Sequence, residues 1–180
     1  MTLGPAVHPD RVAWKYAFAQ TYAHSYSKEG HPMAEATADG LRADIATAYG
    51  EYTAELKLAG PNWETKPAAG KEGEAAWSAR QVAEHLAGAS GFFGGGIAKA
   101  IGVQAGPPSQ PSFADVAAAL AATPGAHAGL MSVVDKVQDS QLGAEMEFGP
   151  LGKTTLGNVV GVVAYHLRDH ANQLKTLRGE

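Results

Sequence analysis

The chain has 180 residues, 45% of them hydrophobic and 18% charged, a length that suits one domain and an apolar content too high for a disordered chain. Its formal charge of −4 and its lack of any Lys/Arg run argue against nucleic acid, which calls for a basic face. With no cysteine, disulfides, thiolate metal sites and cysteine nucleophiles are excluded.

Five helical stretches follow one another, divided by Pro/Gly punctuation. The first, residues 9–26, puts Val12, Tyr16, Ala19 and Tyr22 or Ala23 on one face and stops at Lys28–Glu29–Gly30–His31–Pro32. The second, residues 33–59, carries Leu41, Ile45, Ala48, Tyr52 and Leu56 at helical spacing before Gly60–Pro61 closes it. Residues 62–76, with one proline, two glycines and mixed charges, read as a loop. Trp77–Ser78–Ala79–Arg80–Gln81 is then a start signal: Ser78 suits an N-cap, Gln81 its capping-box partner, and Trp77 a staple.

This third helix is expected to reach Ile101, although each glycine of Gly94–Gly95–Gly96 costs about 1 kcal/mol relative to alanine, so a bend or a close backbone approach is expected there. Ser112 and Asp115 start a fourth helix, which Thr123–Pro124–Gly125 should interrupt before it resumes to about Gln138. After an irregular stretch, with a short extended piece at Glu145 to Phe148, the last helix opens near Thr154 or Thr155 and runs to Leu177. Lys175 and Arg178 suit the negative end of its dipole. There is no internal repeat and no βαβ alternation, so the class is all-α: a four-helix bundle over 33–180 with an additional helix in an N-terminal extension, 1–32. No basic-then-apolar leader opens the chain, and residues 92–101, its most apolar stretch, are too short and glycine-rich to span a bilayer. A cytoplasmic protein with no membrane partner is expected.

Seven histidines are present. His8, His24, His31 and His127 have no partner at ligand spacing and read as surface residues. His166 and His170 differ. The last helix spaces Leu156, Val160, Val163, Leu167, Leu174 and Leu177 alternately four and three apart, and His170 falls within that series. At about 100° per residue, His166 lies about 60° from Val163, on the flank of the same stripe. Their Cβ atoms, one turn apart, are about 5–6 Å from each other, near enough to converge on one ion. His85 repeats the placement on the third helix, flanking the stripe of Val82, Leu86, Ala89, Phe93 and Ile97.

Three inward imidazoles on two helices are compatible with a mononuclear site having open positions, and equally with core histidines satisfied by neighbours. His166–Leu167–Arg168–Asp169–His170 lacks the Glu of HExxH, and no Glu-x-x-His occurs, so the zinc-protease and paired di-iron patterns are absent. Glu84 and Asp169 adjoin His85 and His170 but lie about 100° round their helices, and read as solvated residues. No general base is assignable. Trp77, Phe92 and Tyr165 are expected to pack, with pocket lining as a second role.

Two segments together resemble the DinB/YfiT-like superfamily of metal-dependent enzymes. Trp77–Ser78 followed by Val82, His85 and Leu86 is similar to that family's entry into its second bundle helix. Leu151–Gly152, Thr155–Leu156 and His166, His170, Gln173 and Leu174 are similar to its closing helix. The resemblance spans residues 33–179. It implies an up-down-down-up four-helix bundle, a divalent ion (nickel or zinc) on His85, His166 and His170, and homodimers. It also implies a small-molecule substrate, with a low-molecular-weight thiol such as mycothiol or bacillithiol as cosubstrate. The activities it suggests are thiol S-transfer or hydrolysis; the alternative is a non-catalytic metal-binding stress-response or interaction protein.

Overall fold

Thr37 opens the first helix by accepting a hydrogen bond from the Gly40 backbone N–H, 3.0 Å away, which satisfies one of the donors a helix start leaves unpaired. In the computed structural model, which describes residues 36–67 and 70–180, this helix is α1, Ala38–Leu58. It begins later than the 33 expected from periodicity because the cap, and not the apolar pattern, sets the start. The helix expected over 9–26, and His8, His24 and His31, lie outside the described residues.

The other elements are α2 (Ala79–Ile101), α3 (Val116–Val134), a hairpin of β1 (Glu145–Glu147) and β2 (Lys153–Thr155), and α4 (Leu156–Leu177). Short 3₁₀ turns lie at Gly60–Asn62, Gly73–Ala76, Asp139–Gln141 and Gly149–Leu151. Among the described residues the fold is therefore four α-helices with one two-stranded sheet. In its antiparallel register Glu145 faces Thr155 and Glu147 faces Lys153.

The apolar stripes account for the packing. Helix α1 lies chiefly on α4, α2 on α3 and then on α4, and α1 touches α3. Ile45, Tyr52 and Leu56 meet Val82, Phe93 and Ile97, Leu130 and Val133, and Leu156, Val160 and Leu174 in one core. Each fully buried aliphatic side chain contributes about 1.5–3 kcal/mol relative to exposure. Polar clamps hold the helix ends. Asp139 accepts from the Ala38 N–H at 2.6 Å, and Arg178 at the end of α4 pairs with Glu55 of α1.

One expectation about a break is corrected. Helix α3 runs through Thr123–Pro124–Gly125 without interruption. Pro124 and Gly125 lie on its exposed side, where water can reach a carbonyl that loses its donor, while buried Ala119, Thr123 and Leu130 hold the helix on the core. Its 19 residues, with a mean hydropathy of 1.3, also make it long and apolar enough to cross a membrane by length and composition, as no other helix among the described residues is. Helix α2 continues through Gly94–Gly95–Gly96 to Ile101, the end expected for it. The glycine at 96 serves close approach: a Cβ there would sit 2.1 Å from Cε2 of Phe148.

Candidate metal centre

Helix α2 is fixed at its start by a capping box: Ser78 Oγ accepts from Gln81 N–H, and Gln81 Oε1 accepts from Ser78 N–H at 3.1 Å. The Arg80 N–H donates to the Trp63 carbonyl at 3.0 Å and ties that start to the preceding turn. His85 therefore enters the interior at a fixed height. Helix α4 starts from the Thr155 cap and presents His166 and His170 on its buried face, 4% and 0% exposed.

The rings converge through one kind of atom. Nε2 of His85 is 2.9 Å from Nε2 of His166, which is 3.1 Å from Nε2 of His170. All three nitrogens lie within 4.8 Å of one another. Two ligands bound at about 2.0–2.1 Å to one ion have either of the two short spacings when they meet at about 90–100°.

Proton accounting points the same way. Gln173 Nε2–H donates to the Glu74 carbonyl at 2.5 Å, so its Oε1 faces His170 Nδ1 at 2.8 Å as an acceptor. Nδ1 of His170 then carries the proton, and its Nε2 presents a lone pair to the cluster. An Nε2–H on His166 could serve only one of its two short contacts. A cation at the convergence point would resolve both.

Burial keeps the rings neutral, the form that binds metal. Desolvation first, then the neighbouring His170, pushes the His85 pKa down to about 3. The same burial lowers His166, aided by His170 and His85. His170 is lowered by burial too, against the opposing effects of Gln173 and Asp169. Aromatic rings fix the orientation. Trp77 lies 4.7 Å from the His85 ring and 6.1 Å from His170, and Phe93 lies 5.7 Å from His166.

A fourth group stands beside the three, and sequence reasoning missed it. Glu74, on the 3₁₀ turn Gly73–Ala76, places Oε2 4.0 Å from Nε2 of His170. Burial, then the charge of Asp169, raises its pKa to about 7. The segment reads as a loop because its glycines and proline erase any periodicity. What positions Glu74 is the bond from Gln173, 99 residues away.

A model of the DinB superfamily matches residues 12–174, a span that opens within the segment 1–32. The chain belongs to the DinB superfamily. No curated protein and no solved structure matches it.

In this DinB-superfamily chain a cavity of about 390 Å³ reaches the cluster on the His85 and His166 side. Phe92, Phe93, Ala89, Pro108 and Pro111 give it an apolar wall, with Glu84, Ser109 and Gln110 as polar points. Phe92, 39% exposed, thus lines a pocket, whereas Trp77 and partly buried Tyr165 pack against the core. Glu84 departs from the solvated role expected of it. The segment before α3 folds back on α2, and Glu84 Oε1 accepts from the Phe113 N–H at 2.9 Å and the Ser112 hydroxyl at 3.3 Å. Asp169 is exposed, as its position on the helix predicts. His127 is half-buried, stacks on Tyr49 at 3.7 Å and stays outside the cluster.

Proposed function

We propose that this chain is a metal-dependent enzyme of the DinB/YfiT-like type. In this reading an up-down-down-up four-helix bundle holds one divalent ion on His85, His166 and His170. A small-molecule substrate enters through the adjoining cavity. The observation that carries the reading is the convergence of three Nε2 atoms, from buried His166 and His170 and half-buried His85, two of whose rings also form the wall of that cavity. Imidazole donors suit nickel and zinc, among other first-row ions. Such an ion supplies Lewis acidity, which generates a nucleophile from a thiol or water near neutral pH.

The chain's own residues bind and orient. Gln173 holds His170 in the tautomer whose Nε2 faces the cluster, and Trp77 restrains two of the three rings. Phe92, Phe93 and the proline-bearing segment exclude water from an apolar substrate, while Glu84 keeps that segment against α2. A low-molecular-weight thiol as cosubstrate fits a cysteine-free protein, because the sulfur then arrives with the substrate. The test is conjugation of such thiols to small electrophiles by the metal-loaded protein. Turnover by wild type and none by His85→Ala is expected. Stoichiometric metal without turnover across several thiols would favour the non-catalytic alternative.

A further inference from the structure

Glu74 carries a buried oxygen that nothing satisfies. Its Oε1 is shut off from solvent without a hydrogen-bond partner, and its Oε2 points toward His170. Among the described residues its ion-pair neighbour is His170 alone, at 4.0 Å, which is beyond hydrogen-bond distance. A carboxylate in that position is costly unless a cation or a donor compensates it. The placement is built, because Gln173 binds the Glu74 carbonyl through one end of its amide and His170 Nδ1 through the other. The residue that orients a metal-facing ring thereby also locks the turn bearing the carboxylate.

We propose that Glu74 is a fourth protein donor to the divalent ion of the three-histidine site, an inference that rests on the metal-binding reading above. The carboxylate stands outside the set of nitrogens that lie within 4.8 Å of one another, so it closes on the ion by rotating its side chain. Its backbone stays where Gln173 holds it. The added negative charge offsets half the charge of a dication in a buried site. Three imidazoles and a carboxylate form a donor set for first-row divalent ions, and five- or six-coordination leaves positions open for substrate. The cavity touches His85 and His166, whereas Glu74 stands by His170, so the carboxylate does not line the substrate's route.

The experiment is a titration of the metal-stripped full chain with Co²⁺, read by its visible absorption, with Zn²⁺ affinity measured against a competing chelator. Glu74→Gln should bind one Co²⁺ with an altered spectrum and hold Zn²⁺ at least about 10-fold more weakly than wild type. Asp169→Asn removes an exposed charge near the same ring and should change neither. Wild-type spectrum and affinity in Glu74→Gln would overturn the proposal alone, as would equal changes in both variants, which would mark a general electrostatic effect. Failure of wild type to take up Co²⁺ or Zn²⁺ would overturn both this proposal and the metal-binding reading beneath it.

Discussion

Gly96→Ala places a methyl group where the structure has an aromatic ring. The new Cβ would lie 2.1 Å from Cε2, 2.6 Å from Cδ2 and 3.3 Å from Cζ of Phe148. Carbon atoms pack best at about 3.5–4.0 Å, so the ring must retreat by about 1.5 Å. It has little room. Phe148 is 4% exposed and wedged against Phe92 and Phe93, with ring centroids 4.9 and 5.5 Å away. Overpacking of this kind costs about 1–3 kcal/mol, and alanine returns about 0.8–1.0 kcal/mol in helix propensity. The net is a loss of up to about 2 kcal/mol. Gly95 is the internal control, because nothing lies within 4 Å of its added Cβ. Gly95→Ala keeps only the propensity gain and should stabilise by about 1 kcal/mol. Urea unfolding should therefore separate two adjacent, chemically identical substitutions by about 1–3 kcal/mol at constant m. Equal midpoints, or a more stable Gly96→Ala, would refute the reasoning. The displaced ring also presses on Phe93, which neighbours His166 as well, so Gly96→Ala should disturb the cavity wall too.

Gln173→Leu removes the acceptor that fixes His170 and leaves the Glu74 carbonyl unpaired; metal affinity should fall about 10–100-fold in chelator competition. An unchanged affinity would dismiss the tautomer argument. Glu84→Ala should cost about 1–2 kcal/mol in urea unfolding through the lost Phe113 and Ser112 bonds, with bound metal per chain unaltered. The metal-free protein should lose stability as pH falls below 6.5. His85 titrates near 3 when folded, and His166 and His170 are lowered as well, while each ring returns to 6.5 when unfolded. The unfolded chain then binds more protons, and stability present above 6.5 is lost toward the folded values. Glu74, raised from 4.5 to about 7, acts in the opposite sense, its contribution present below 4.5 and lost as pH rises toward 7. Three rings outweigh one carboxyl, so urea midpoints should drop between pH 6.5 and 5; a rise would contradict the assignment.

The parts that could be read from sequence are those governed by local rules. Ser78 and Gln81 mark the start of α2, and Thr155 that of α4, because caps act within three residues. His85, His166 and His170 could be placed because α2 and α4 keep regular apolar stripes, so the 3.6-residue repeat states which way each ring points. What escaped depends on distant partners. Gly96 looks like a weak point until Phe148, delivered by the hairpin, is seen beside it. Glu84 lies about 100° from His85 and reads as solvated, since the chain that returns to cover it begins 28 residues later. Glu74 sits in a segment without periodicity and owes its aim to Gln173. Pro124 shows the reverse error: a local breaker rule yields when the proline faces solvent and the residues around it are buried.

The central claim is that three Nε2 atoms hold one ion, and His166 is its pivot because its Nε2 takes part in both short contacts. Metal analysis by mass spectrometry of the purified chain, with cobalt, nickel and zinc each offered, tests it most directly. The account predicts one divalent ion per wild-type chain and loss of that ion in a folded His166→Ala variant. A wild-type chain without metal, or a His166→Ala variant that keeps a full equivalent, would contradict it.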